Sequence, residues 1–422
     1  MRKVKITIAA LFFYFLGFSQ EKTTSSYENK PLTLEEADFI SGYYNQNGNH
    51  SAIMGGNGSE KLDEFSNTLD LKFVKKYNQY VNTFDLGLTA EHRTSASTAY
   101  IEKAPDGATT SVHSLNSKPI YATTSRASGS GGNYYGSDSE SHASALYGWR
   151  FNPSLNWSVK NLENNSTFGL GAYYSYEFDY NSLGAEISYA KASADNNSEY
   201  SVKGQAFFDR REMILPFEVR PTDYTGTDWQ SKTSFSLDNS YSQVVNQRLQ
   251  FSVLADIAYQ KGILATPYNR VYFNNVTVGG ERLPDNRLKI PVGLRLNYFA
   301  GNNVIFRFYY RHYWDDWKIN GNTASVEVPV KINPNFSVSP FYRFHEQTSA
   351  EYFNQYATAN PLSDFYTSDY DLSDFKSNNI GVNLHFVPGS WGVFNSVDLR
   401  YSHYKRTDGL AADNITLALK FK

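Results

Sequence analysis

Across residues 284–345 the chain alternates apolar and polar side chains, in four successive runs. Leu288, Ile290, Val292, Leu294, Leu296 and Tyr298 are separated by Lys289, Gly293, Arg295 and Asn297, among others. Val304, Phe306, Phe308 and Tyr310 then alternate with Arg307, Tyr309 and Arg311. Ala324, Val326, Val328, Val330 and Ile332 alternate with Ser325, Glu327 and Lys331; Val338, Pro340, Tyr342 and Phe344 alternate with Ser339, Arg343 and His345. A period of two predicts strands with one apolar and one polar face, because successive side chains of a pleated chain point to opposite sides. Tight turns at Ala300-Gly301-Asn302-Asn303 and Asn333-Pro334-Asn335 alternate with a longer connection through Trp314-Asp315-Asp316-Trp317. Strands of about ten residues with alternating short and long connections predict an all-β fold, a transmembrane antiparallel β-barrel.

The same period marks strands elsewhere. Leu69, Leu71 and Phe73 begin the series, and Tyr77-Asn78-Gln79 turns the chain into Phe84, Leu86 and Leu88. Further strands are predicted over residues 147–159, 168–178, 183–192, 200–208, 232–241 and 249–259, and after the four opening runs over 380–386, 397–403 and 415–421. Residues 94–141, rich in Ser, Thr, Gly and Ala, cannot build a spanning wall and read as a long external loop. Residues 212–228, 261–283 and 350–375 read as further outer loops, and 162–165, 195–197 and 244–246 as short periplasmic turns. This gives fifteen strands. Bacterial single-chain barrels have an even number with both ends periplasmic, so one crossing is missing. Either residues 38–62 hold it or the N-terminal segment rises through the lumen. Sixteen strands are expected, with fourteen and eighteen as alternatives.

Composition fits this picture. Aromatic residues make up 16% of the chain, yet mean hydropathy is −0.51. A barrel wall needs only alternate residues apolar, so hydropathy averaging hides its lipid face, whereas no window holds the run of about 18 apolar residues that a spanning helix requires. There is no Cys, which excludes disulfides, thiolate metal sites, a cysteine nucleophile and a lipid-modified N-terminal Cys. A net charge of −3 gives no reason to expect nucleic acid. At the N-terminus Arg2, Lys3 and Lys5 precede an apolar stretch over residues 6–18, and Gly17 and Ser19 suit cleavage before Gln20. The expected organisation is a signal peptide over 1–19, a periplasmic or lumen-entering segment over 20–62, and a barrel over 63–422 in the outer membrane of a Gram-negative bacterium.

Three stretches carry a resemblance. Asn49-His50-Ser51-Ala52 with Gly55-Gly56-Asn57-Gly58-Ser59-Glu60, then Arg93-Thr94-Ser95-Ala96-Ser97, then Tyr176-Glu177-Phe178-Asp179-Tyr180-Asn181-Ser182-Leu183-Gly184 resemble a family of uncharacterised bacterial outer-membrane β-barrel proteins. The resemblance covers most of the mature chain and implies a porin-like architecture with no assigned activity. That family's genes are described beside those of a flavin transferase and a small lipoprotein, which implies an envelope partner and redox-related work. The chain departs from the usual aromatic C-terminus, because Lys422 follows Phe421.

If the apolar stripe faces lipid, the polar stripe lines the lumen. Asp85, Glu91, Glu177 and Glu186 fall in the first half of the chain, with Asp256 later. Lys289, Arg295, Arg307, Arg311, Arg343 and Arg400 fall in the second half, tempered by Glu327 and Asp398. Opposite signs on opposite walls make a transverse field that sets ion preference; the alternative is that these charges pair across strands, as Glu327 with Arg307 or Arg343. Asp364, Asp369, Asp371 and Asp374 read as a solvated acidic loop rather than a calcium site, since the glycine and closing Glu of an EF-hand are missing. Trp314 and Trp317 read as aromatic girdle residues. The glycines over 55–58 read as turn chemistry, because no strand and helix flank them as a phosphate loop requires. His345-Glu346 lacks the second His of a zinc-protease motif, and His345 and His385 without a carboxylate make a poor catalytic pair. No catalytic residue, metal or cofactor is expected. The expected function is a pore or transport component for small solutes, in contact with membrane lipid. A non-conducting scaffold for an envelope complex with a lipoprotein is the alternative, and an outer-membrane enzyme the third reading.

Overall fold

The computed structural model describes residues 29–95, 146–177, 180–224, 228–389 and 393–421. The signal peptide expected over 1–19 and nearly all of the loop expected over 94–141 lie outside the described residues. The wall begins with β1 (Lys30–Asn47), β2 (Leu62–Tyr77), β3 (Tyr80–Ser95), β4 (Leu146–Asn161), β5 (Ser166–Tyr176), β6 (Tyr180–Ala192), β7 (Ser198–Glu212), β8 (Trp229–Asn246) and β9 (Leu249–Gly262). A small hairpin, β10 (Arg270–Tyr272) with β11 (Val278–Gly280), sits in the next connection. The wall resumes with β12 (Asn286–Ala300), β13 (Val304–Asp315), β14 (Asn320–Glu327), β15 (Val330–Asn333), β16 (Phe336–Gln347), β17 (Phe375–Phe386), β18 (Phe394–Arg406) and β19 (Ala411–Phe421).

Every wall strand pairs antiparallel with its neighbours, β9 passing directly to β12. The sheet closes because β1 pairs with both β2 and β19, the latter in register from Ala37 opposite Phe421 to Asn47 opposite Ala411. β14 and β15 are one crossing interrupted at Val328-Pro329, where proline has no N–H to give the ladder, so the barrel has sixteen strands. Among the described residues the closed wall has no edge strand.

The alternation sorts the side chains. Leu155, Leu183, Ile187, Phe235, Leu294, Phe308, Ile380 and Leu399 are exposed on the outer face, while their sequence neighbours Asn156, Ser182, Glu186, Gly293 and Asp398 are buried within. Among the described residues, the start of β1 and the end of β19 lie at the same end as the short turns after β2, β4, β6, β8 and β12, and the connections after β1, β9, β13, β16 and β18 lie at the opposite end. Short turns use left-handed residues that the sequence supplies at Asn78 (φ 49°), Asn165 (φ 52°) and Asn196 (φ 56°).

Two expectations are corrected. Residues 30–47 are neither a periplasmic nor a lumen-entering segment but the first wall strand, so the wall starts well before residue 63 and the missing crossing is found. Among the described residues of the expected 20–62 segment, 48–61 form a connection, and it belongs to the long-loop end. Trp314 is partly exposed on the outer face as a girdle residue should be, but Trp317 is only 3% exposed. Past the end of β13 the chain turns inward, and the Arg287 guanidinium lies 4.3 Å from the Trp317 ring centre, with Trp317 Nε1 donating to the Asn286 carbonyl at 3.0 Å.

Deleting residues 30–47 leaves β2 and β19 as unpaired edges. The truncated chain is expected to give no heat-modifiable folded band in gel electrophoresis after refolding; a folded band of normal mobility would show that the segment is dispensable to closure.

Candidate functional site

The interior carries two polar systems: a lined lumen and a folded layer of loops at its long-loop end. Inward placement follows from register in each case. On β3, Asp85 stands opposite Lys72, and Glu91 lies 3.2 Å from both Arg93 and Arg150. Glu177, just past β5, accepts from Arg150 Nε at 3.0 Å and lies 3.6 Å from Arg93, which also pairs with Glu64 at 2.6 Å. Arg93 and Arg150 were not among the sequence-derived lumen charges, and they neutralise much of the wall expected to be acidic at this level. The signal was available, because Arg150 lies between Trp149 and Phe151 in an alternating run. Two of the stretches that carry the family resemblance, around Arg93 and Glu177, therefore meet in one ion cluster.

Glu186 accepts from the Tyr173 hydroxyl at 2.6 Å and from Gln205 Nε2 at 3.0 Å. Lys289 stands opposite Asp315 on β13, whose carboxylate takes Arg287 at 2.5 Å. Arg295 lies opposite Tyr309, with its guanidinium 5.7 Å from that ring centre. Glu327 bridges Arg307 at 2.9 Å and Arg400 at 3.3 Å, and Arg400 lies 3.8 Å from the centre of the Phe341 ring. Pairing across strands thus accounts for Arg307 and Arg400; Arg343 lies opposite Ser325 and Asn379. Arg311 faces inward with a buried Nε that has no hydrogen-bond partner. Asp256 stands opposite Asp238, and Asp398 takes His385 Nδ1 at 2.9 Å. His345 and His385 do not approach each other: in the β16–β17 register His345 faces Ser377 and His385 faces Ser337, at opposite ends.

The loop layer packs on its own apolar core. Ile53, on the short turn Ala52–Met54, is buried against Ile214 and Tyr268. Val271, Phe273 and Ala359 form a second cluster with Tyr366, and Trp317, Ile319 and Ala350 a third. Gly55 (φ 74°) admits this packing, since a Cβ there would meet Tyr272 Cδ2 at 2.4 Å. Arg270 ties the connections together. Its Nη1 donates to the Ile53 carbonyl at 3.0 Å, its Nη2 lies 3.1 Å from Glu218, and its own carbonyl accepts from Ser368 at 2.6 Å.

The acidic loop is solvated only at Asp364 and Asp374; Asp369 and Asp371 turn inward, against expectation. Asp371 takes Arg406 Nη1 at 2.6 Å, while Asp369 accepts from the Asp371 N–H at 2.9 Å. The reason is Arg406, almost wholly buried at the end of β18, which also donates to the Tyr370 carbonyl at 2.6 Å and pairs with Asp408. Glu60 faces this group from the first connection. Burial, reinforced by Asp371, pushes its carboxyl up to about 8, and burial with Asp371 and Glu281 pushes Asp369 up to about 7. Burial likewise raises Glu281, which bonds Thr367 and the Thr266 N–H. Among the described residues no group of three or more His, Cys, Asp and Glu is arranged to hold a metal.

A family profile described as "Protein of unknown function (DUF3570)" matches residues 6–411, and the chain belongs to that family. No curated protein matches it in sequence. Among solved structures it is similar to Pseudomonas aeruginosa OccD3 (OpdP), at 8% identity over 95% of each chain and a TM-score of 0.42. It is also similar to the outer membrane protein OpdK from the same organism, at 9% identity over 92% of this chain and 97% of that one, with a TM-score of 0.39. Resemblances this distant say nothing about what this barrel carries.

A pH dependence follows from Glu60 and Asp369. Both hold their protons more tightly in the packed layer than when the loops open, so opening releases protons and becomes easier as pH rises. For Glu60 the stabilisation is complete below its ordinary value of 4.5 and is lost by about 8; for Asp369 it runs from 3.8 to about 7. Amide-exchange protection over residues 48–61 and 350–374 is expected to decline across that window, and Glu60→Gln to flatten the part above pH 7. An identical decline in Glu60→Gln would contradict the assignment.

Proposed function

We propose that this member of the DUF3570 family is an outer-membrane pore for small polar solutes, with the loop layer acting as a partial closure at its outer mouth. The observation that carries the reading is the inversion of the usual arrangement: apolar side chains outside, and inside a charged lining in which the Arg307 side chain is 51% exposed. A closed sheet with an apolar outer band satisfies its backbone in lipid, and alternation leaves a wet polar interior. In bacterial barrels the short turns and both ends are periplasmic, which puts the loop layer on the outside. The wall's buried polar groups are guanidinium–carboxylate networks and hydroxyl–amide chains, an arrangement suited to lining a path rather than to bond cleavage.

One observation favours a second reading, a non-conducting scaffold: the loop layer carries its own apolar core and is tied at Arg270. Planar-bilayer recording separates the two. The intact protein is expected to conduct in intermittent steps. Arg270→Ala, which strips the Ile53 carbonyl and Glu218 of their partner, lowers the cost of opening the layer by about 1–3 kcal/mol and is expected to raise the open fraction severalfold. Silence from both proteins would favour the scaffold.

A further inference from the structure

We propose that the lumen-facing arc of β12, β13, β16 and β18 is a track for small oxyanions, carboxylates or phosphates, with Arg295 as its open docking position. This rests on the barrel being a water-filled pore and adds the class of solute. Arg295 is exposed to the lumen and has no carboxylate partner among the described residues. One strand on, Arg307 is half exposed and shares Glu327 with Arg400. A single carboxylate therefore serves two guanidiniums. Lys289, Arg311 and Arg343 add to the same arc; Asp398, engaged by His385 and Asn383, and Asp315, engaged by Arg287, are its other inward acids. The arc is left with an excess of fixed positive charge.

The type of cation matters as much as the count. Arg295 lies by the Tyr309 ring and Arg400 over the Phe341 ring. The N–H fork of a guanidinium matches a planar oxyanion in bidentate fashion and a spherical halide poorly. The flanking walls, β8–β9 next to β12 and β1–β2 beyond β19, reinforce the placement. In the β1–β2 register Asp38 stands directly opposite Asp70, and in the β8–β9 register Asp238 stands opposite Asp256. Like charges so placed repel an anion from those walls toward the arginines, even with Lys72 and Lys203 nearby.

Two readouts test this with benzoate, inorganic phosphate and chloride as probes. In the first, equilibrium binding to the refolded protein in detergent is measured by calorimetry. In the second, reversal potentials are measured in bilayers under gradients of the potassium salts. The double variant Arg295→Ala/Arg307→Ala is expected to bind benzoate at least tenfold more weakly and to shift selectivity toward potassium. Arg295→Lys is expected to keep the chloride selectivity, because the charge remains, and to lose benzoate affinity, because the fork is gone. Arg248→Ala, on an exposed turn outside the lumen, removes the same charge and is expected to change neither. Phosphate binding as tight as benzoate would mark the track as general for oxyanions, and weaker phosphate binding would narrow it to carboxylates; both outcomes support it. Equal benzoate binding by the wild type and the double variant would overturn the track. Currents without any arginine-dependent selectivity would overturn it while leaving the pore intact, whereas arginine-dependent binding without current would keep the site and remove the pore.

Discussion

The backbone of a lipid-exposed sheet must pair every N–H and C=O with another part of the chain, because the hydrocarbon offers no partner. In this protein that requirement is met by one seam, the pairing of β1 with β19. Evenness of strand number follows, as does the placing of the start of β1 and the end of β19 beside the short turns. The inversion of faces follows too, since a closed ladder frees the outer side chains to be apolar and forces the inner ones to meet water or each other. Where the ladder is interrupted, at Val328-Pro329, the neighbouring backbone repairs it: the Val328 N–H donates to Pro340 and the Ile305 N–H to the Pro329 carbonyl.

Inside the barrel the same chemistry is used in two ways. Toward the long-loop end, charges are buried and locally matched: Arg93 and Arg150 with Glu64, Glu91 and Glu177, and Arg406 with Asp371 and Asp408. Removing one partner there leaves the other stranded away from water, so these clusters fix loop positions more than they add net stability. Along β12 to β18 the charges are unevenly matched and two of them, Arg295 and Arg307, are exposed, so their pairing there contributes little stability.

Much of the wall was legible in the sequence because a period of two needs only local reading. Arg287 to Phe299 showed its two faces outright, and the glycines over 55–58 were read correctly as turn chemistry. β1 was harder, since its outer stripe is diluted: Phe39 and Tyr43 share it with Ser41 and Asn45, and only the parity of the count pointed to it. Trp314 and Trp317 look alike in sequence, yet the turn between them reverses the face that each presents. The loop layer was illegible for a different reason. Arg270 meets Ile53 across 217 positions and Arg406 meets Asp371 across 35, contacts that no local pattern encodes. The acidic loop therefore read as solvated although half of its carboxylates are turned inward.

Odd-numbered residues of β12 and β13 face the inside of the membrane-spanning wall, while even-numbered ones face outward. The chain contains no cysteine, so single cysteines can be introduced without background. Intact outer membranes carrying Leu294→Cys, Arg295→Cys, Arg307→Cys or Phe308→Cys would be treated with a water-soluble, membrane-impermeant thiol reagent. Rapid labelling is expected at 295 and 307, with protection at 294 and 308. Equal labelling at all four positions, or protection at 295 and 307, would contradict this placement of the faces.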